Sequence, residues 1–298
     1  MRGIFLCLTA AALMAASPPA GGAGENPVVI DHNSAHISSI PDSVLDLAQD
    51  SLKYHYAHTS HGGQLRDGLY VLENNDPRYA FAYLNNQLPQ EEGSLCIFNG
   101  QQTDTYITPE LYWYTEGGMD ETRAVLSANS ALNISMWAWC GELDYYTEGQ
   151  VRAYLDSLSV LESEFPGVTF VYMTGNAQGT GAGGHNRYLR NQQIRQFCLD
   201  NNKVLYDFAD LDCWYYNSVS GEWEFSTYSY EGTDVPVEHP QFSGDETSHT
   251  TWESCEQKGK AVWYMSAALA GWSDPTSADG ASWGEVKSMF REAGRDSS

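Results

Sequence analysis

The feature that most constrains this chain is an alternation of short β-prone runs with helical periods, sustained from about residue 52 to residue 271. Leu52–Thr59 (LKYHYAHT) reads as a strand, and after Gly62-Gly63 the positions Leu65, Leu69 and Val71 mark a helix. Leu95–Phe98 predicts a shorter strand and Leu132–Trp139 (LNISMWAW) a buried one. Thr147 and Gln150 form a capping box, followed by one apolar face of Val151, Tyr154, Leu155, Leu158 and Leu161 that stops at Pro166-Gly167. Val168–Met173 (VTFVYM) is β-branched and aromatic, a helix is expected over about 187–200, and Val204–Phe208 makes another strand. The last helix, about 257–269, carries Ala261, Val262, Met265 and Leu269 at helical spacing. Strands separated by helices of this length return in the same direction each time. The pattern therefore predicts an α/β chain, a three-layer α/β/α sandwich around a mostly parallel sheet.

No internal repeat divides the chain, so one domain is expected over residues 25–272. Residues 214–244 read as a long excursion from it, and long loops in compact folds often carry function. Residues 273–298 read as a polar linker and a short tail, with Trp283–Arg291 (WGEVKSMFR) an amphipathic docking helix. At the other end, Arg2, the apolar run Ile4–Ala16 and the small residues of 17–24 read as an export signal, cleaved between residues 17 and 24. A secreted or periplasmic protein is expected. No later stretch reaches the roughly 18 uninterrupted apolar residues of a membrane span.

Acidic residues outnumber basic ones 39 to 15, a net charge of -24, so the chain has no electrostatic footprint for nucleic acid. Beyond the signal lie Cys96, Cys140, Cys198, Cys213 and Cys255, an odd set that leaves at least one thiol free or shared between chains. No CxxC pair occurs, which argues against a zinc ribbon.

The sharpest chemical feature is His58-Thr59-Ser60-His61-Gly62. A serine at a strand-to-helix junction, followed by glycines, exposes its hydroxyl beside the N–H groups of a helix start, where an oxyanion can be held. The ordered stretches HTSHGGQL (58–65), SMWAWCGEL (135–143), FVYMTGN (170–176), RNQQIRQFCLDNNKVLYDFADLD (190–212) and KGKAVWYMSAALAGW (258–272) resemble the SGNH (GDSL-like) hydrolase superfamily. Within it they look most like a group of secreted bacterial proteins. That resemblance implies a flavodoxin-like sheet with the nucleophile after the first strand, a base near the C-terminus, and no cofactor or metal.

Carried over residue by residue, Ser60 takes the nucleophile position, although the family's GDS is HTS here. Glu246-Thr247-Ser248-His249 matches the late D-x-x-H box, making His249 the general base oriented by Glu246, with Asp245 as rival acid. Where the family has G-x-N-D this chain has Trp139-Cys140-Gly141-Glu142, so the oxyanion donors expected instead are Gly100 and Asn176, with Gly141 lining the pocket. His58 and His61, flanking Ser60, are pocket-lining groups or an alternative base.

The implied function is a secreted serine esterase acting on a small-molecule or carbohydrate ester, with O-acyl groups on carbohydrate as the substrate class. The missing G-x-N-D favours a second expectation, a scaffold without catalysis that binds glycan or another surface partner. A zinc site from His55, His58 and His61, with His185 or His239, is disfavoured because residues 55 and 61 of an extended strand face away from 58. Asp207, Asp210 and Asp212 could bind calcium, but solvated acids are the commoner reading. Of the aromatic set, which also includes Trp139, Trp137 is expected in the core, while Trp214, Tyr215, Tyr216 and Trp223 on the excursion either stack on sugars or pack under the loop.

Overall fold

A strand covered on both faces has no polar side to spare, and the apolar runs above meet that demand. The structure, a computed structural model, describes residues 27–274. The expected export signal and residues 275–298 of the expected tail lie outside the described residues. Seven strands make the main sheet: β1 (Val28–Ile30), β2 (Lys53–His58), β3 (Phe81–Asn85), β4 (Leu95–Asn99), β5 (Ile134–Ala138), β6 (Thr169–Met173) and β7 (Val204–Tyr206). They lie in the order β1-β7-β6-β5-β2-β4-β3, with every neighbouring pair parallel. The inner five, β4-β2-β5-β6-β7, follow the flavodoxin-like 2-1-3-4-5 order. β1 and β3 extend the two edges.

The helices are α1 (Asp42–Ser51), α2 (Gly63–Asn75), α3 (Glu116–Ala128), α4 (Glu148–Glu164), α5 (Gly181–Asp200), the short α6 (Phe208–Cys213) and α7 (Trp252–Leu269). α1, α2 and α7 pack together over one face of the sheet, and α3, α4 and α5 over the other. The α/β/α sandwich is the architecture the alternation predicts. The capping box of α4 forms as expected: Thr147 Oγ1 accepts from the Gln150 N–H, and the Gln150 side chain accepts from the Thr147 N–H.

Several boundaries differ from the sequence reading, each for a local reason. α5 begins at Gly181, six residues before the predicted start, because its first turn (Gly-Ala-Gly-Gly) has no apolar period to read. α7 begins at Trp252, where Thr251 Oγ1 accepts from the Ser254 N–H, five residues before the apolar spacing becomes visible. The strand expected to reach Phe208 stops at Tyr206, because the Asp207 carboxylate caps α6 at the Asp210 N–H. The 214–244 excursion folds into two antiparallel hairpins, β8 (Trp214–Asn217) with β9 (Glu222–Phe225) and β10 (Thr227–Tyr230) with β11 (Thr233–Pro236). Glu231 and Gly232, both at positive φ, make the tight turn of the second hairpin.

α2 and α7 cross backbone to backbone. A Cβ on Gly68 would stand 1.8 Å from the Cys255 carbonyl oxygen, and one on Gly259 only 2.5 Å from Gly68 C. No side chain can shift to relieve either clash, so the approach requires glycine on both helices. Gly259→Ala is expected to lower the unfolding free energy by about 2–3 kcal/mol, seen as a lower urea midpoint with unchanged slope. A wild-type midpoint would show that the helices do not meet at this point.

Candidate active site at the carboxyl edge of the sheet

Every strand of a parallel sheet delivers its following loop to one edge. From β2 the chain crosses towards β3, whereas from β5 it crosses the opposite way to β6, so the connections diverge between β2 and β5. A crevice opens at such a switch point. The loop after β2 brings Ser60 and His61 there, and the loop after β5 brings Cys140.

Cys140 Sγ lies 3.2 Å from Ser60 Oγ and 3.1 Å from His61 Nδ1. The other imidazole nitrogen, His61 Nε2, is 2.9 Å from Gln178 Oε1. The Gln178 amide has one orientation open to it: its Nε2 donates to Glu238 Oε1 at 2.8 Å and to the His249 carbonyl at 2.6 Å, which turns its oxygen to His61. His61 therefore donates from Nε2, and Nδ1 faces the thiol.

Burial opposes ionisation of Cys140, but hydrogen bonds with His61 and Ser60, and the His61 charge, bring the thiol down to about 7. Burial also opposes the imidazolium, yet contacts with Cys140 and Gln178 hold His61 above its ordinary range. The two shifts favour the same state, a thiolate beside an imidazolium. Thiol, imidazole and side-chain amide in that order recur as Cys-His-Asn on an unrelated protease fold.

The surroundings fix this arrangement. Trp139 Nε1 donates to the Met173 carbonyl, and Asn176 Nδ2 donates to the Cys140 carbonyl at 2.7 Å, so the ends of β5 and β6 are tied directly beside the thiol. Asn176 Oδ1 accepts from the Gln178 N–H, and Asp212 Oδ2 from the Ala177 N–H. Asp212 is itself held by Lys258 of α7 at 2.7 Å, with both side chains fully buried. Burial first, and then the Asp212 charge, push the Glu238 carboxyl up to about 7.

The predicted site residues divide into those that converge and those engaged elsewhere. Ser60 and His61 reach the crevice, and Gly141 beside them leaves open space where a side chain would stand. His58 forms the wall beneath: its Nδ1 donates to the Thr59 carbonyl, its Nε2 accepts from the Tyr83 hydroxyl, and burial pushes its pKa down to about 4. Gly62 permits the turn to fold over it, since a Cβ there would come within 2.3 Å of His58 Cβ. The expected oxyanion donors are occupied differently. The Gly100 N–H donates to the Tyr56 carbonyl, and the Asn176 amide ties Cys140 to Gln178.

His249 is exposed, its ring 4.9 Å from that of His61. It sits with Ser248 at positive φ in a turn closed by the Thr250 N–H to the Thr247 carbonyl. Asp67 holds that turn by accepting from Thr247 Oγ1 and Ser248 Oγ. Glu246 is not engaged with His249: its carboxylate accepts from the Trp252 N–H at the start of α7. Asp245 is exposed.

His55, His58 and His61 enter three separate networks, since His55 bonds Ser135 Oγ and the Gly100 carbonyl. Asp207, Asp210 and Asp212 are not solvated acids but partners of Arg195, His32 and Lys258. Among the described residues, Asp31, His32 and Asp210 bring potential metal-ligand atoms within 4.8 Å of one another. Among the described residues, all five cysteines are free thiols. Sequence reasoning missed Cys140, Gln178 and Glu238 as site residues. For Cys140 the sequence does carry a signal, a cysteine placed just after a buried strand.

No family model matches the chain, and no curated protein matches it by sequence.

Alkylation of Cys140 by iodoacetamide is expected to titrate with a midpoint near 7, slow below it, where the thiol is protonated, and fast above it. His61→Ala should move that midpoint up, because the contacts that outweigh burial are lost. Peptide mapping of the alkylated site checks both, and an unshifted midpoint would show that His61 does not stabilise the thiolate.

Proposed function

We propose that this protein is an ester hydrolase working by covalent acyl transfer, with Cys140 as nucleophile, His61 as proton carrier and Gln178 as the group that orients His61. The carrying observation is the 3.1 Å approach of His61 Nδ1 to a thiol brought down to about 7. The Cys140 thiolate attacks the ester carbonyl carbon, and the carbonyl electron pair moves to oxygen. The Ser60 hydroxyl, 3.2 Å from the sulfur, supplies a donor for that oxyanion. As the intermediate collapses, the His61 imidazolium gives its proton to the leaving alkoxide, releasing the alcohol and leaving a thioester on Cys140. Water then gives a proton to His61 and attacks the thioester carbonyl. The acid leaves, and thiolate and imidazolium are restored.

The sequence's likeness to SGNH hydrolases, its export signal and its strand order support an extracellular ester substrate, with O-acyl groups on carbohydrate as the class. A second reading keeps Ser60 as nucleophile and His249 as base. It is favoured by the place of Ser60, at the head of α2 after the first of the five flavodoxin-ordered strands, and by the His249 ring beside His61. Under a third, the scaffold binds a glycan without turnover.

Hydrolysis of p-nitrophenyl acetate and of acetylated xylan separates them. Cys140→Ala is expected to lower kcat at least about a thousandfold, whereas Ser60→Ala retains measurable turnover reduced by about ten- to a hundredfold. The rate should rise through about pH 7 as Cys140 ionises. Full activity in Cys140→Ala with none in Ser60→Ala would transfer the nucleophile to Ser60, and a wild-type protein inactive on both esters would leave the binding scaffold.

A further inference from the structure

Away from the thiol, a cavity of about 480 Å³ opens between the β8–β9 hairpin and the first half of α7. That volume lies in the range of about 300–1,000 Å³ typical of small-molecule sites. Its hairpin wall is aromatic. Trp223 and Tyr216 meet edge to face at 5.3 Å, and Trp223 also stands edge-on to His32 at 5.1 Å. His32 is stacked on Trp214 at 4.4 Å, and Trp214 on Phe225 at 4.6 Å, so the wall is rigid from behind. Tyr216 nonetheless stays 47% exposed. An aromatic ring that is braced by its neighbours yet left open on the cavity side is a platform rather than core.

The floor, from α7, is rich in acceptors. Gln257 is buried, and its Nε2 donates to the Leu211 and Trp214 carbonyls, which leaves Oε1 as an acceptor at the cavity. Glu253 adds a carboxylate, and Glu256 is paired with Lys260 at 2.7 Å. This excess of acceptors and negative charge disfavours phosphates, nucleotides and acidic sugars. It suits a ligand that presents many hydroxyl donors and one apolar face, which is the chemistry of a neutral pyranose: ring C–H groups against an aromatic side chain, hydroxyls donating to carboxylate and amide oxygens.

We propose that this cavity binds a neutral oligosaccharide, the class of molecule that carries the proposed ester. The subsite rests on the reading above for its purpose but not for its binding, which needs no catalysis. The paired Lys260 weighs against the other ligand that acids and aromatic rings suit, a quaternary ammonium, which makes choline the discriminating control.

The experiment is calorimetric titration of the protein with xylohexaose, cellohexaose and mannohexaose, beside choline and heparin. At least one neutral hexasaccharide is expected to bind saturably, and Tyr216→Ala to weaken it about tenfold or more. Trp223→Tyr, which keeps a ring against His32, should weaken it as well, with far-UV circular dichroism reporting that each variant is folded. Cys140→Ser should bind as the wild type does, so a failed esterase reading would leave this result standing. Absence of binding by all three sugars, binding indifferent to both ring substitutions, or saturable binding of choline or heparin in their place would overturn the proposal.

Discussion

The reversal of connection direction between β2 and β5 is the constraint on which the remaining features depend. A parallel sheet with right-handed crossovers sends the loops after all its strands to one edge, and only where successive connections part to opposite sides does that edge stay open. In this chain the opening falls between two strands buried at every position except Lys53, so the groups that border it are carried on rigid supports. Ser60 and His61 stand one turn before α2, whose backbone is locked against α7 by paired glycines. Cys140 stands two residues beyond β5, between the Trp139 indole anchored to β6 and the Asn176 amide.

Charge is arranged outward from that opening in layers. The imidazole is directed by an amide, the amide by a carboxyl and a backbone carbonyl, and the carboxyl lies near a buried aspartate neutralised by lysine. Breaking one member of the Lys258–Asp212 pair would strand a buried charge, and the loop carrying Ala177 and Gln178 would lose its anchor. Glu238, pushed up to about 7 by burial and the Asp212 charge, accepts from the Gln178 amide that orients His61. The turn at Ser248 and His249 adds backbone strain of about 1–3 kcal/mol per left-handed residue, offset by the two hydroxyls bonded to Asp67. That strain delivers the His249 carbonyl to Gln178.

Much of the fold was legible because burial imposes periodicity. The strands at 53–58, 95–99, 134–138, 169–173 and 204–206 follow runs that the sequence displays, and the capping box of α4 names its own first residue. The edge strands β1 and β3 and the helices α1 and α3 are absent from the sequence reading: β1 is an apolar run of only three residues and β3 a strand of five, whereas α1 and α3 do carry an apolar face, Leu45 and Ala48 in one and Met119, Val125 and Leu126 in the other. In the site, a serine and a histidine adjacent in sequence were found together with the glycines that fold them. Gln178 and Glu238 could not be, because their roles arise from contacts across 117 and 60 residues of chain. The late Glu246 to His249 spacing was suggestive, yet Glu246 serves the Trp252 N–H at the start of α7 rather than the nearer histidine.

The central claim is that the acyl group passes through the sulfur of Cys140. Mixing the protein with p-nitrophenyl acetate, quenching in acid within the first turnover and mapping the adduct by peptide mass spectrometry tests it directly. The account predicts an acetyl group on the peptide containing Cys140, removed by neutral hydroxylamine as a thioester is. An acetyl group on the Ser60 peptide, stable to neutral hydroxylamine, would contradict it.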